Sequence, residues 1–355
     1  MAKRRRLPEE MGIFGVLVLV AAVMSMLSPE FMTLGNVQVL MLNGTVVAFL
    51  ALGQTFVLLT GGIDLSVGSN IALTGMLAAI SMQLGANWWM AALIALVVGL
   101  LVGLFNGAVI HYVKLPPFIV TFSTFGISAA IPQILTGAKS VTVADPLFAI
   151  WGRGSLFGVP IPVILLALFA AVFIVVLKQT PSGVHIYAVG GNADASRLAG
   201  VNIGRKILTV YAISGICAGM GGVITTSRLM VGYPTAGSGN EQFYSIASAV
   251  VGGVSLFGGV GTIVGALLGA ILIATVSNGM NVVGVDSFWQ PLVIGVIILL
   301  GVSLDAARRR ITIAEGIRRL FSRSGETPPP TSAAETPPPP QSASSSGPVP
   351  SESTH

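Results

Sequence analysis

The feature that most constrains this chain is a ladder of ten apolar runs, each about as long as a lipid bilayer is thick. Runs of roughly twenty apolar residues are typical of transmembrane helices and differ from the alternating pattern of a membrane β-barrel. Charged residues make up only 9% of the chain, against about 25% in soluble domains, so lipid must surround much of the surface. The sequence predicts an all-α, polytopic transmembrane helical bundle of about ten helices. The runs cover residues 11–27, 37–59, 66–84, 90–110, 118–136, 160–177, 207–227, 243–257, 260–278 and 288–304.

Arginine and lysine are distributed unevenly along this ladder. If each run crosses the membrane once and the basic residues 3–6 stay inside the cell, the connections alternate between the two sides. Fifteen of the eighteen Lys and Arg residues then lie in cytoplasmic segments, and the three exceptions are Lys139, Arg153 and Arg228. Because this bias sets orientation, we expect both termini in the cytoplasm. No clean signal-peptide cleavage site follows the first run, so we expect it to remain as a helix.

Composition divides the chain into four parts. Residues 1–10 are a basic cytoplasmic N-terminus, and residues 11–304 are the transmembrane domain. Residues 305–323 form a basic cytoplasmic segment. Residues 324–355 are rich in Pro, Ser and Thr and cannot bury enough apolar surface to offset their ordering entropy. We expect this tail to be disordered.

Two polar connections are longer than a turn. Residues 137–159 would lie outside the cell, and residues 178–206 would form the largest internal loop, with His185 and Arg197 among its polar side chains. So long a charged loop in so apolar a chain indicates a docking site for a cytoplasmic partner, with a plain connector as the alternative. His185 and His111 both fall in or near internal connections, so we expect no metal site.

A possible internal duplication links two glycine-containing segments. Thr60–Leu65 reads TGGIDL and Val251–Leu256 reads VGGVSL, at an offset of 191 positions. By the alternation of runs, both segments follow helices that cross from outside to inside. Two such units would be parallel repeats, an arrangement known in membrane transporters.

Glycines four residues apart form two further patterns. Such spacing places small residues on one helix face and lets two helix backbones approach closely. Packing within the bundle and a dimer interface would both use such faces. The two sets are Gly99, Gly103 and Gly107, and Gly261, Gly265 and Gly269.

The sharpest local signal is the stretch GGIDLSVGS at residues 61–69, which places Asp64 between two apolar runs. A lipid-facing carboxylate at the bilayer centre costs roughly 2.5–3.5 kcal/mol, so Asp64 is expected in the protein interior, in an aqueous cavity or at the interface. It could cap the helix that follows, or it could line or gate a pathway. We assign to the pathway or gate Gly61, Gly62, Asp64, Ser66, Glu241, Gly252 and Gly253.

An ordered set of motifs resembles one family, the permease subunits of bacterial ABC importers for ribose, xylose, arabinose and similar sugars. The resemblance covers about residues 37–305. Each motif is weak by itself, but their order along the chain matches that of the family. The motifs are residues 61–69 (GGIDLSVGS), 106–107 (NG), 114–121 (KLPPFIVT), 190–192 (GGN) with Ala195, Arg197, Leu198 and Gly200, 252–262 (GGVSLFGGVGT) and 287–290 (SFWQ).

The resemblance implies a division of labour between chains. It implies a permease that forms the translocation pathway as a dimer, receives its solute from an extracytoplasmic sugar-binding protein, and is driven by a separate ABC ATPase that binds ATP and Mg²⁺. It further implies that the ATPase docks on the internal loop. The coupling residues carried over by the resemblance are Gly191, Asn192, Ala195, Arg197 and Gly200.

The chain's own residues agree with an external energy source. None of its five lysines lies in a Walker A sequence, in which glycine precedes lysine and Ser or Thr follows it. The chain departs from the family near Glu241, where the family commonly has a second acid and this chain has Gln242 and Phe243. Glu241 would lie on the external side, where the sugar or the binding protein could meet it; a solvated carboxylate at a helix start is the alternative.

Two other functions are compatible with a polytopic bundle. An ion-coupled secondary transporter of a small polar solute would place ionisable groups in mid-membrane, and Asp64 is the one serious candidate. An intramembrane protease would need paired aspartates, a Ser–His pair or an HExxH motif within the membrane, and the sequence shows no such set. We therefore expect a transport subunit and no enzyme.

Overall fold

The computed structural model describes residues 9–303, 305 and 306. Most of the predicted basic segment 305–323 and all of the predicted tail 324–355 lie outside the described residues. In the described part the helices are α1 Glu9–Leu27, α2 Leu34–Leu59, α3 Val67–Gln83, α4 Trp88–Ala108, α5 Pro117–Thr136, α6 Ile150–Arg153, α7 Ile161–Gln179, α8 Pro181–Gly191, α9 Ala193–Leu198, α10 Ile203–Leu229, α11 Glu241–Val251, α12 Ile263–Val282 and α13 Trp289–Ser303. The strands are β1 Val141–Thr142, β2 Ser155–Leu156, β3 Val159–Pro160 and β4 Val231–Gly232.

Each of the ten predicted apolar runs contains one helix. Among the described residues, α1, α2, α4, α5, α7, α10 and α12 are the seven helices long and apolar enough to cross a bilayer. Helix α3 has 17 residues and α11 has 11, and α13 is also shorter than a full span. The polytopic helical bundle is thus confirmed. The count of ten crossings, the side of the termini and the internal duplication stay predictions.

Most connections lie alternately at two ends of the bundle. The helical end carries α8 and α9, and there the Tyr187 hydroxyl donates to the Gly261 carbonyl at 2.8 Å and the Ser255 hydroxyl donates to Asp305 at 2.9 Å. The ribbon end carries two short antiparallel ribbons, β1 with β4 and β2 with β3. The first ribbon joins the long connection between α5 and α7 to the end of α10. Chain connections at the same end therefore contact and stabilise one another.

Local sequence signals set several helix ends. Asn87, Asn202 and Thr262 precede α4, α10 and α12, and each side-chain oxygen accepts from the backbone N–H three residues later, at 3.1, 3.0 and 3.0 Å. Such caps satisfy N–H groups that have no partner within the first turn. Pro117 begins α5, and Gly137 ends it in the left-handed conformation with φ of 61°, as the usual preferences for proline and glycine lead one to expect.

Helix α10 lies at the centre of the bundle, packed against α2, α3 and α4. Glycine brings the backbones of α4 and α10 into contact. A Cβ atom at Gly99 would overlap the Gly215 carbonyl, and one at Gly103 would overlap the Tyr211 carbonyl. Gly107 lies against the next turn of α10 in the same way. In lipid, where apolar side chains gain little by leaving the solvent, such close approach is a main source of helix association.

The second predicted glycine face needs a correction. Gly261 precedes α12 and has φ of 145°, so it does not lie on a helix face with the other two glycines. Thr262 begins the helix by capping it, which leaves Gly261 in the preceding turn. Gly265 and Gly269 do lie on α12, where a Cβ atom at either would overlap the backbone carbonyls of Gly252 and Ser248 respectively. These two glycines form the contact of α12 with α11.

We predict that Gly103→Ala destabilises the protein because the added methyl group overlaps the backbone of α10. Overpacking of this kind costs about 1–3 kcal/mol, and we expect a lower midpoint of thermal unfolding in detergent. Gly126→Ala on α5 is the matched control, since nothing lies within 4 Å of its Cβ position. Equal midpoints for the two variants would contradict the tight α4–α10 contact.

Candidate translocation and coupling sites

Asp64 lies in the non-helical segment 60–66 that joins α2 to α3, and it is fully buried. Its Oδ1 atom accepts from the Ser66 backbone N–H at 2.9 Å and from the Ser66 hydroxyl at 2.6 Å. Its Oδ2 atom accepts from the Ser214 hydroxyl at 2.8 Å. Because Ser214 lies near the middle of α10, the Asp64 carboxylate lies deep inside the bundle and away from both ends.

A polar network extends from this carboxylate to three neighbouring helices. The Ser66 hydroxyl oxygen accepts from the amide nitrogens of Asn70 on α3, at 3.3 Å, and Asn106 on α4, at 3.0 Å. Thr124 on α5 donates to the Asn106 carbonyl oxygen at 2.6 Å. No basic side chain forms an ion pair with Asp64 among the described residues, so hydroxyl and amide donors alone compensate its burial. A buried polar group needs such partners because an unpaired one costs several kilocalories per mole.

The backbone of the segment is held from α2. With its amide nitrogen oriented toward the Asp64 carbonyl, Gln54 donates to that oxygen at 3.0 Å and accepts from the Asp64 N–H at 3.3 Å. Gly61 turns the chain with φ of 78°, and Gly62 lies under the Tyr211 hydroxyl, where a Cβ atom would come within 2.6 Å of the oxygen. Both predicted glycines therefore occupy positions that a larger residue would strain. Their assignment to a pathway or gate stays a prediction.

The two predicted repeat segments come together at the helical end. The Gly259 N–H donates to the Leu59 carbonyl at 3.0 Å. A Cβ atom at Gly258 would come within 2.8 Å of the Gly190 carbonyl oxygen and 3.0 Å of the Gly61 nitrogen. Thus the end of α2, the turn between α11 and α12, and the end of α8 meet backbone to backbone. Gly253, which begins that turn, has φ of 87°.

Helix α8 is fixed to the bundle, whereas α9 projects from it. Gly183, Ile186 and Val189 form the buried face of α8, and Ile186 packs in the same apolar cluster as the end of α2. The Tyr187 hydroxyl reaches the turn before α12, and burial raises the pKa of this phenol, which keeps it a neutral donor. Ser196 is the one buried residue of α9.

The predicted coupling residues surround α9. Asn192 caps the helix by accepting from the Ala195 N–H at 2.9 Å, and Gly200 ends the turn that follows with φ of 82°. Gly191, Asn192, Ala195 and Arg197 are all exposed, and the neighbouring Leu198 is 91% exposed. Arg197 and Leu198 are therefore both accessible to a partner protein at this end of the bundle.

The chain between β4 and α11 folds back into the bundle, which the hydropathy pattern did not predict. Gly232 lies against Met76 of α3, whereas Gly237 lies against Gly68, eight residues and about 12 Å nearer the start of that helix. Helix α11 therefore begins inside the bundle. Its 11 residues span about 16 Å, roughly half of a hydrocarbon core of about 30 Å. The predicted run 243–257 is helical only as far as residue 251.

Glu241, at the start of α11, lines a cavity of about 250 Å³ between α2, α10, α11 and α12. The cavity lies in the half of the bundle nearer the ribbon end, and Arg228 at the end of α10 also lines it. From the sequence, Arg228 is predicted only to be an external basic residue. The linear sequence does not show that the end of α10 and the start of α11 line the same cavity. Gly252 lies at the opposite end of α11, packed on Gly265 of α12.

The apolar helical bundle, the chain segments that fold back into it (60–66 and the chain between β4 and α11) and the exposed, capped α9 are together the features of a polytopic membrane transport subunit. The chain belongs to the family described as branched-chain amino acid transport system / permease component, whose model matches residues 36–302. Such chains are transport subunits and not enzymes, and membership supports an ABC permease over an ion-coupled carrier. No solved structure matches the chain.

Curated relatives extend over most of the chain. It is 37% identical over 299 residues to the D-allose transport system permease protein AlsC of Escherichia coli (strain K12), covering 84% of this chain and 91% of that protein. It is 38% identical over 303 residues to the ribose import permease protein RbsC of the same strain, with 84% and 94% covered. The xylose transport system permease protein XylH of that strain is 34% identical, with 83% and 92% covered. The predicted resemblance is therefore confirmed.

We predict that Asp64→Ala destabilises the bundle more than Asp64→Asn, because alanine leaves the three donors from Ser66 and Ser214 without an acceptor. A buried donor left without an acceptor costs about 1–3 kcal/mol. The measurement is the midpoint of thermal unfolding in detergent. Ser81→Ala, on the same α3, is the control, since its hydroxyl bonds only the Ala78 carbonyl. An Asp64→Ala midpoint equal to that of the control would show that the network contributes no stability.

Proposed function

We propose that this chain is the transmembrane permease subunit of an ATP-driven ABC importer for a monosaccharide or a related polyol, in the bacterial inner membrane. The sugar transport named for its relatives AlsC, RbsC and XylH supports this substrate class. In this proposal two permease copies, or one copy and a related chain, form the translocation pathway. An extracytoplasmic sugar-binding protein delivers the solute, and a separate ATPase binds ATP and Mg²⁺.

The distribution of charge supports an orientation with the helical end in the cytoplasm. The helix ends and connections at that end carry Lys114, Lys178, Arg197, Arg205 and Lys206. The described helix ends and connections at the ribbon end carry three basic residues, Lys139, Arg153 and Arg228. Since cytoplasmic connections of membrane proteins are enriched in Lys and Arg, the ATPase would meet α8 and α9, and the binding protein would meet the ribbon end.

The observation that carries the proposal is the pairing of a projecting α9 with an anchored α8. Exposed Arg197 and Leu198 offer a charged and an apolar contact to a partner. A force applied to α9 would pass to α8, whose Gly190 lies against Leu59 and Gly259. In this way closure of the ATPase would move the end of α2 and the turn before α12. Transmission requires an element that has two arrangements, and the two backbone turns are the candidates.

We predict that Arg197→Glu and Leu198→Ser each weaken docking of the ATPase, because one reverses a charge and the other removes an exposed apolar contact. The readout is the fraction of ATPase that co-purifies with the tagged permease, and ATP hydrolysis by the reconstituted complex. Lys139→Glu, a charge reversal of the same size at the ribbon end, is the control and should leave both unchanged. Co-purification of the α9 variants at wild-type yield would remove the basis for this coupling site.

The proposed function itself is tested in proteoliposomes that contain the permease, its ATPase and its binding protein. We expect uptake of D-ribose, D-allose or D-xylose that requires ATP inside the vesicles and the binding protein outside. Accumulation by the permease alone, driven by a proton or sodium gradient without nucleotide, would instead establish an ion-coupled carrier.

A further inference from the structure

The cavity between α2, α10, α11 and α12 contains polar groups that the protein itself does not satisfy. Its wall includes Asn43, Thr225, Arg228 and Glu241. None of these four side chains makes a hydrogen bond or ion pair with another residue in the part of the chain that the structure describes, and the Glu241 Oε2 atom is buried without a partner. Asn43 is exposed and Thr225 and Arg228 are half-buried, so the Glu241 Oε2 atom is the one of these polar atoms that is buried without a partner. An unsatisfied buried polar group costs about 1–3 kcal/mol, so this oxygen calls for an explanation.

Three other polar residues around the same cavity, Ser277, Asn278 and Asn281, form side-chain hydrogen bonds. Asn278 exchanges two hydrogen bonds with Asn36, at 2.9 and 3.0 Å. Gln290 accepts from the Ser277 hydroxyl at 2.8 Å and donates to Asn281 at 2.7 Å. These pairs tie α12 to α2 and α13 near the ribbon end. The cavity thus has hydrogen-bonded polar residues near the ribbon end and four further side chains, of which Asn43 is exposed, whose hydrogen-bonding capacity is free.

The chemistry of the free groups indicates the kind of solute. Arg228 and Glu241 carry opposite charges and line one cavity without forming an ion pair, so the site is neutral overall. A guanidinium group donates two parallel N–H bonds, and a carboxylate accepts two. Vicinal hydroxyl groups can accept from the first and donate to the second, and the Asn43 amide can do both. Val46 and Ile273 add apolar walls against which C–H groups can pack.

The cavity is also of suitable size. Its volume of about 250 Å³ lies just below the range of about 300–1,000 Å³ that encloses drug-sized ligands. It is therefore large enough for a small solute such as a monosaccharide.

We propose that this cavity is a binding station for a single monosaccharide inside the permease protomer, with Arg228 and Glu241 as the specificity-determining pair for its hydroxyl groups. The inference rests on the proposed sugar-import function and goes beyond it, because it places the solute within one protomer and names the residues that hold it. A zwitterionic amino acid, with its carboxylate on Arg228 and its ammonium on Glu241, is the competing ligand that the experiment must separate from a sugar.

A direct test uses the single cysteine of the chain, Cys217, which is buried and therefore inert. Asn43→Cys places one accessible thiol in the cavity wall, and its rate of reaction with a methanethiosulfonate reagent is measured on the purified permease. We expect millimolar D-ribose or D-allose to slow labelling several-fold and L-leucine to leave it unchanged. Lys139→Cys at the ribbon end is the control, which should label at the same rate with or without sugar. Protection by L-leucine alone, or by no solute, would overturn the inference.

A second test measures transport by the complete importer. Arg228→Gln and Glu241→Gln each keep the size of the side chain and remove its charge, and we expect each to reduce the initial rate of sugar uptake about tenfold, which corresponds to about 1.4 kcal/mol. Ala274→Phe should also block uptake by filling the cavity that Ala274 lines. Ile271→Phe, on the exposed face of the same α12, is its control and should transport normally.

The two tests separate the inference from the function on which it rests. Assembly of every variant with the ATPase is checked by co-purification, so that a misfolded variant is recognised. If the wild-type importer shows no ATP-dependent sugar uptake, the proposed function fails. If the wild type transports sugar and the three cavity variants transport it at the same rate, the proposed import function is retained and the binding station is refuted.

Discussion

The structure depends on how non-helical backbone is satisfied inside an apolar bundle. Lipid offers no hydrogen bonds, so a segment such as 60–66 can exist at membrane depth only when protein groups bond its N–H and C=O atoms. Asp64 and Gln54 meet this requirement, one through its carboxylate and the other through its amide. The position of α3 follows from that arrangement. In turn, Gly68 at the start of α3 offers the surface on which Gly237 packs, and this contact determines how deep α11 begins.

These contacts connect the cavity mechanically to the helical end of the bundle. Helix α11 starts at Glu241 in the cavity wall and ends at Val251, next to the turn that contacts α2 and α8. An 11-residue helix is short and stiff, so a displacement at one end is felt at the other. The proposed functions of the two sites are therefore compatible in one molecule: solute would be held at one end of α11, and movement of the ATPase would be received at the other end.

Much of the architecture could be predicted because hydropathy reports the solvent around a helix. The apolar runs all contain helices, and the caps at Asn87, Asn202 and Thr262 follow from their side chains. The depth at which a helix begins within the bundle was harder to predict from the sequence. The run 243–257 has the composition of a span, yet α11 covers only part of it, and Gly261 lies outside the helix it was assigned to. In both cases neighbouring backbone, which no local pattern encodes, determines the conformation.

The amino-acid sequence by itself determined the class of the protein. Scarce charge and the one-sided distribution of Lys and Arg indicate a membrane protein, in which helices or closed barrels satisfy the backbone. Continuous apolar runs of about twenty residues favour helices over the alternating strands of a barrel. Its motifs were also sufficient to indicate the permease family. Only the tertiary structure decided which distant residues meet: Asp64 with Ser214, Leu59 with Gly259, and Arg228 with Glu241 around one cavity. The physical reason is that these contacts depend on where helices begin and how closely their glycines let them approach, and both are properties of the packed bundle.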